Sequence, residues 1–287
     1  MNAKGATIAS LTNMKGATIS GGAGGNDGPA GMGIDNAGTL GAVNNAGTID
    51  PRAGAFAILS TGSIGPITNS GKIIGNVEID NQASVTVFGG AGMTFGSWTG
   101  GTITIGNGNL TFAGGSTALG DNIVANGGAG PVFNNDPLMI ASPHSITGNF
   151  DQSATGALDF GVAGDMAGQY GSLAIEGLAS LDGGLELDLI NGFTLEVGDS
   201  FGLLTFAGLS GDFNGLSLDG GACSARPGDF WTCGGFTLQE AIGASYLDLN
   251  VTGTSAIPEP STWALLMTGF LGLAGLRLGR RSRRSPA

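Results

Sequence analysis

Short apolar segments alternate with glycine-centred turns through the N-terminal half of the chain. Residues 34 to 49 read IDNAGTLGAVNNAGTI, and residues 58 to 73 read ILSTGSIGPITNSGKI, 24 positions later. Gly38, Leu40, Gly41, Val43, Asn45, Gly47 and Ile49 align with Gly62, Ile64, Gly65, Ile67, Asn69, Gly71 and Ile73. Inside the first unit Asn36-Ala-Gly38-Thr-Leu40 recurs nine residues on as Asn45-Ala-Gly47-Thr-Ile49, so a short apolar strand follows each Asn-x-Gly turn. A strand of three or four residues does not fold alone. Stacking such strands about 4.8 Å apart satisfies their backbone groups and builds a continuous apolar interior. The pattern predicts an all-β chain whose body is a parallel β-solenoid (β-helix), with glycine supplying corners at φ > 0 and Asn side chains bonding within turns or stacking in ladders. Further strands are expected at Val77 to Ile79, Ser84 to Phe88, Thr102 to Ile105 and Asn109 to Phe112. At about 20 to 24 residues per coil, residues 1 to 160 make roughly seven coils and a rod about 30 to 35 Å long. A β-sandwich with accidental repetition is the alternative, and antiparallel pairing would mark it.

From Leu173 the period changes. In LAIEGLASLDGGLELDLINGF, Leu185, Leu187 and Leu189 face one way while Glu186 and Asp188 face the other. Phe201 to Phe206 and Tyr246 to Val251 have the same character. Leu181, Gly183-Gly184 and Gly198-Asp199-Ser200-Phe201 resemble a segment common near the ends of autotransporter-like and PEP-CTERM surface proteins. That resemblance extends over most of the section that begins at Leu173 and implies an all-β cap or a continuation of the solenoid. The expected organisation is a repeat-built solenoid over 1–160, an all-β C-terminal section over 161–253 and a tail over 254–287.

Composition narrows the function classes. Glycine supplies 57 of 287 residues without a period of three, which excludes collagen, and charged residues are only 11%. From Met1 to Ala256 there are five basic residues (Lys4, Lys15, Arg52, Lys72, Arg226) against 21 acidic ones, a net charge of −16. Such a body does not neutralise phosphates, so no nucleic-acid partner is expected.

The tail, IPEPSTWALLMTGFLGLAGLRLGRRSRRSPA, has the opposite sign. Pro258-Glu259-Pro260 holds the chain extended, and Ser261 or Thr262 then caps a helix. Ser261 to Leu276 carries no charge and includes Leu265, Leu266, Phe270, Leu271 and Leu273. Its 16 residues span about 24 Å, and extension to Leu278 gives roughly 27 Å against a hydrocarbon core of about 30 Å. A transmembrane helix is therefore expected over 261–278. Trp263 anchors one interface, Arg277 snorkels to the other, and Arg280, Arg281, Arg283 and Arg284 place the basic tail 279–287 in the cytoplasm. Pro-Glu-Pro, one apolar helix and a terminal arginine cluster together resemble the PEP-CTERM sorting signal of Gram-negative bacteria. The resemblance covers the whole stretch from Ile257 to Ala287. It implies an exosortase that recognises Pro258, Glu259 and Pro260, removal of the helix, and delivery of the body to the cell surface or extracellular polysaccharide matrix. A buried soluble helix and a permanent unprocessed anchor are the alternatives. Met1 to Gly25 has no apolar h-region, and Lys4-Gly-Ala-Thr-Ile8 recurs as Lys15-Gly-Ala-Thr-Ile19, so the expectation is that residues upstream of Met1 carry the entry signal.

Candidate chemistry is sparse. Cys223 and Cys233 bracket a ten-residue separation; a cysteine pair in an exported chain favours a disulfide worth about 2 to 3 kcal/mol, with two free thiols as the alternative. Zinc would need two further ligands, and only His144 offers an imidazole. No metal and no cofactor are expected. Gly21 to Asp27 resembles a calcium-binding Gly-Gly-x-Gly-x-Asp repeat with one residue inserted and no tandem copy, so a turn is the favoured reading. His144 reads as a loop histidine without an oriented neighbour. Glu186 and Asp188 have the spacing of a solvated strand face as well as that of a glycosidase pair. Thr102 and Thr104 share a face, but the repeated ranks of an ice-binding array are missing. No Asp, Lys and Arg cluster of the polysaccharide-lyase kind is available. The reading is a non-enzymatic surface or matrix protein with a structural or adhesive role, in contact with the membrane through its tail and with extracellular polysaccharide through its body. A solenoid lyase or glycoside hydrolase and a permanently anchored adhesin fragment are the competing readings.

Overall fold

The computed structural model describes residues 1–22, 31–52, 54–80, 84–92 and 94–254. Within them the chain is all-β: no α-helix is present, and a single 3-10 turn stands at Asn126–Gly128. No helix among the described residues is long and apolar enough to cross a membrane. The sorting residues Pro258, Glu259 and Pro260, the helix expected from Trp263 to Leu276 and the arginines from Arg277 to Arg284 lie outside the described residues.

Three long ladders organise the body. The first links Leu11–Asn13, Val43–Asn45, Ile67–Asn69, Ser84–Phe88, Asn109–Phe112, Pro131–Asn134 and Asn149–Gln152. The second runs from Thr18–Ile19 through Thr48–Ile49, Lys72–Ile74, Pro137–Ile140, Ala157–Val162 and Gly184–Leu189 to Gly215–Leu218. The third begins at Ile34–Asn36 and includes Phe56–Ser60, Asn76–Ile79 and Pro143–Thr147. The long strands Phe95–Ile105, Ser116–Ala125 and Ser172–Leu181 each bend from one ladder into another. All of these pairings are parallel. Val43 meets Ile67 and Ile49 meets Ile73, the register that the 24-residue recurrence implies. Pass length varies downstream: Val132 meets Phe150, 18 positions later, whereas Leu173 meets Leu204, 31 positions later.

Register stacks like on like. Val43, Ile67, Val87 and Phe112 form one inward column, and Ile49, Ile73, Trp98 and Leu119 another; each is at most 2% exposed. Burying each such side chain contributes about 1.5 to 3 kcal/mol before chain entropy is subtracted. Between the columns run polar stacks. Asn13 Nδ2 donates to Asn45 Oδ1 at 2.8 Å, and Asn45 Nδ2 to Asn69 Oδ1 at 2.8 Å. A second stack runs from Asn2 to Asn36 at 2.7 Å and on to the Ser60 hydroxyl at 2.9 Å. Each of these donor amides also donates to a backbone carbonyl of the neighbouring pass, such as that of Lys72 for Asn45 at 3.0 Å. The asparagines of the Asn-x-Gly turns are thus ladder members, buried and paired.

The glycines of those turns work differently from expectation. Gly38, Gly47, Gly62 and Gly71 are not among the residues at positive φ. A Cβ at Gly47 would fall on the carbonyl oxygen of Ala17, and one at Gly71 on that of Gly47. Close backbone approach between passes, not a left-handed corner, excludes a side chain there.

Parallel pairing continues across residue 160, where Leu158 meets Leu185, and ends at Gly215–Leu218. Beyond it the sense changes. Phe230–Cys233, Phe236–Ile242 and Tyr246–Thr254 pair antiparallel in sequence, and the last also runs antiparallel along Ser200–Gly211. That strand covers the edge the third ladder would otherwise leave open.

Candidate functional site

Outward positions of the early passes carry short polar side chains in register. Thr12, Asn44 and Thr68 line up on the first ladder, and Thr18, Thr48, Lys72 and Ser97 on the second. Strand alternation makes this inevitable once Leu11, Val43 and Ile67 point inward. The result is a file of hydroxyls and amides at a spacing of about 4.8 Å per pass, with few formal charges.

Further along the second ladder the outward file changes to Met139, Asp159, Glu186 and Ser217. Asp159 is 5% exposed and its Oδ1 has no hydrogen-bond partner. Burial, followed by the charges of Asp188 and Glu186, pushes its carboxyl up to about 7. Burial and then Asp188 also raise Glu186, whose Oε1 accepts from the Gly220 N–H at 2.9 Å. Asp188 is raised by burial and then by Asp219. Glu186 and Asp188 therefore belong to a crowded acidic patch, not to a freely solvated face. Sequence reasoning misses Asp159, because only the register between successive passes brings it level with Glu186. No group of three or more metal-binding side chains with the geometry to hold an ion occurs among the described residues.

Cys223 and Cys233 form a disulfide with Cα atoms 4.5 Å apart. Cys233 lies on Phe230–Cys233, next to Trp231, whose Nε1 donates to Glu240 Oε2 at 3.4 Å. Glu240 is 5% exposed. Burial, with Asp212 next in importance, pushes it up to about 7. The bridge thus closes a hairpin on the strand that carries Trp231, the donor to that raised carboxyl.

His144 is on a strand, Pro143–Thr147, and not in a loop. It has a partner: Ser142 Oγ lies 2.9 Å from His144 Nε2. Burial lowers its pKa. The Ser-Pro-His triplet is the signal in the sequence, since residues two apart in extended chain share a side. Thr102 and Thr104 occupy one strand, Phe95–Ile105, and pair with Asn122 and Val124, so the hydroxyl rank does not repeat.

The region with the strongest functional content is the tail. Residues 256–284 match the PEP-CTERM protein-sorting motif. The matched span contains Pro258-Glu259-Pro260, the apolar run and all five tail arginines. This sorting motif supports an exosortase-processed chain exported to the cell envelope or surface of a Gram-negative bacterium. No curated protein and no solved structure matches the chain.

Proposed function

We propose that the chain is an exported surface or extracellular-matrix protein with a structural or adhesive role. Its body winds as a β-solenoid over 1–160, followed by an all-β section over 161–253. Its tail lodges in the membrane as a helix over 261–278 until an exosortase acts at Pro258, Glu259 and Pro260. The observation that carries the reading is the sorting motif at 256–284, joined to a body rich in in-register hydroxyls and amides. Such a face suits hydrogen bonding to a neutral polysaccharide, whose hydroxyls are themselves spaced regularly along an extended polymer. An acidic body also stays soluble once released.

Two measurements test this. Surface-exported protein from cells expressing the full chain should be lighter than the precursor by the tail, and Glu259→Ala should leave the precursor in the membrane. Unchanged processing of that variant would remove the sorting reading. The released body should co-sediment with the producing cell's extracellular polysaccharide, and failure to do so would remove the matrix reading alone.

A further inference from the structure

Three polar side chains that a surface role does not use stand at the corner where the second ladder turns into the third: Ser142 and His144 on one pass and Asp121 on the pass before it. Ser142 and His144 flank Pro143, and Ser142 Oγ is 2.9 Å from His144 Nε2. On the neighbouring pass Ile123 pairs with Ile146 and Val124 with Thr147. Counting back two places brings Asp121 level with His144, on the same side of its strand. Asn122 keeps that register, its Oδ1 accepting from the Ser145 N–H at 2.9 Å.

Asp121 is 1% exposed. Its Oδ1 accepts from the Gly101 N–H at 2.7 Å, while Oδ2 is buried without a partner. An imidazole that accepts the Ser142 proton at Nε2 carries its own proton on Nδ1. That N–H would supply the donor the Asp121 oxygen lacks, from a neighbouring strand whose backbone runs about 4.8 Å away. Burial holds His144 below its usual pKa and pushes Asp121 up to about 6. At neutral pH the imidazole is therefore uncharged and the carboxyl largely ionised. Ser142 also lines a groove of about 250 Å³ together with Ser97, Thr99, Ala118, Gly120 and Met139. No charged residue lines it.

We propose that Ser142 is a nucleophile activated by His144, that Asp121 positions the imidazole, and that the groove takes a carboxylic ester with a small uncharged acyl group, such as an O-acylated sugar. Ser142 Oγ adds to the ester carbonyl and passes its proton to His144 Nε2. The ester C–O bond breaks, and the alcohol leaves with that proton. Water then adds to the acyl-serine, giving up a proton to His144, and the carboxylic acid departs as Ser142 is restored. Ser142 and His144 are the catalytic residues in this scheme, and Asp121 is a positioning residue. The site stands independently of the sorting tail.

The test uses the full chain in detergent. A fluorophosphonate probe should label Ser142, located by peptide mass, in strong preference to the exposed Ser245, and p-nitrophenyl acetate should be hydrolysed. Ser142→Ala should abolish both, and because that side chain is exposed the fold, followed by circular dichroism, should not change. His144→Gln should slow labelling about 100-fold. Asp121→Asn should slow it about tenfold or more and move the midpoint of the labelling pH profile downward, since the imidazole loses its anion. Trp98 Nε1 is also buried and unpartnered, level with Leu119, and is the rival donor for Asp121; an unmoved midpoint would assign Asp121 to it and overturn the positioning role. Labelling of Ser142 no faster than Ser245, or unaffected by His144→Gln, would overturn the proposal.

Discussion

The early passes and the late ones solve one problem with different materials. From Ile34 to Ile73 the passes repeat every 24 residues, and the early interior mixes aliphatic columns with stacked asparagines. After Ser172 the passes are longer, and the third ladder is closed by an antiparallel strand, with a disulfide-bridged hairpin further out in the same antiparallel sheet. In the early region leucine and phenylalanine are nearly absent from the core, whereas Leu185, Leu187, Phe201, Leu203 and Leu204 fill the late one. Small cross-sections demand backbone contact between passes, so glycine and amide stacks carry the register. Larger cross-sections hold bulky side chains, so ordinary packing does.

The largest predicted effect breaks the early region. Gly71→Val places a side chain on the carbonyl of Gly47. It should cost about 3 kcal/mol or more and strip amide-exchange protection from the first passes while the late section stays protected. Gly215→Ala, with nothing within 4 Å of its Cβ, should stay within about 0.5 kcal/mol of the parent. Equal losses from the two would erase the contrast. Asn45→Ala comes next. It leaves the Asn13 amide and the Asn69 carbonyl oxygen without their ladder partner, and chemical denaturation should show a loss of about 2 to 3 kcal/mol.

A third variant sharpens the late side. Cys223→Ser should lower stability of the C-terminal hairpins by about 2 to 3 kcal/mol, read as faster proteolysis within residues 219–245 under conditions where the asparagine stacks remain protected. The smallest effect is a pH dependence. Asp159 and Glu240 are each pushed to about 7 in the fold by burial, with Asp188 and Asp212 respectively adding to it. Their folded values lie above the unfolded ones, so the native protein binds more protons across roughly pH 4 to 7. Stability is then full below that window, falls as pH rises through it and levels off above. Each group contributes on the order of 1 to 2 kcal/mol after solvent screening. Asp159→Asn should flatten the slope, and a stability that rises with pH in this window would contradict the assignment.

The contrast also explains what sequence exposes. The alignment of Val43 with Ile67 and Asn45 with Asn69 is the ladder register itself, because these two similar passes pair at one offset throughout. The role of the turn glycines is not legible in the same way: a one-dimensional pattern shows that a side chain is absent, but not whether φ or a neighbouring strand forbids it. Strands at Ser84–Phe88 and Asn109–Phe112 fall where alternation places them, yet their partners are fixed by loops of unequal length. The same inequality hides Asp159 beside Glu186, and Asp121 level with His144. The cysteine pair is legible because its separation is local. The tail is legible because its three parts are contiguous.

Parallel stacking of successive passes is the claim on which the rest depends, and paired cysteines test it most directly. Thr48 and Lys72 are register partners on the second ladder, so in the full chain the double variant Thr48→Cys, Lys72→Cys should oxidise to a 48–72 cross-link found by peptide mass. Thr68 belongs to the first ladder, and Thr48→Cys with Thr68→Cys should not link. A 48–68 link, or no link between 48 and 72, would contradict the stacked arrangement.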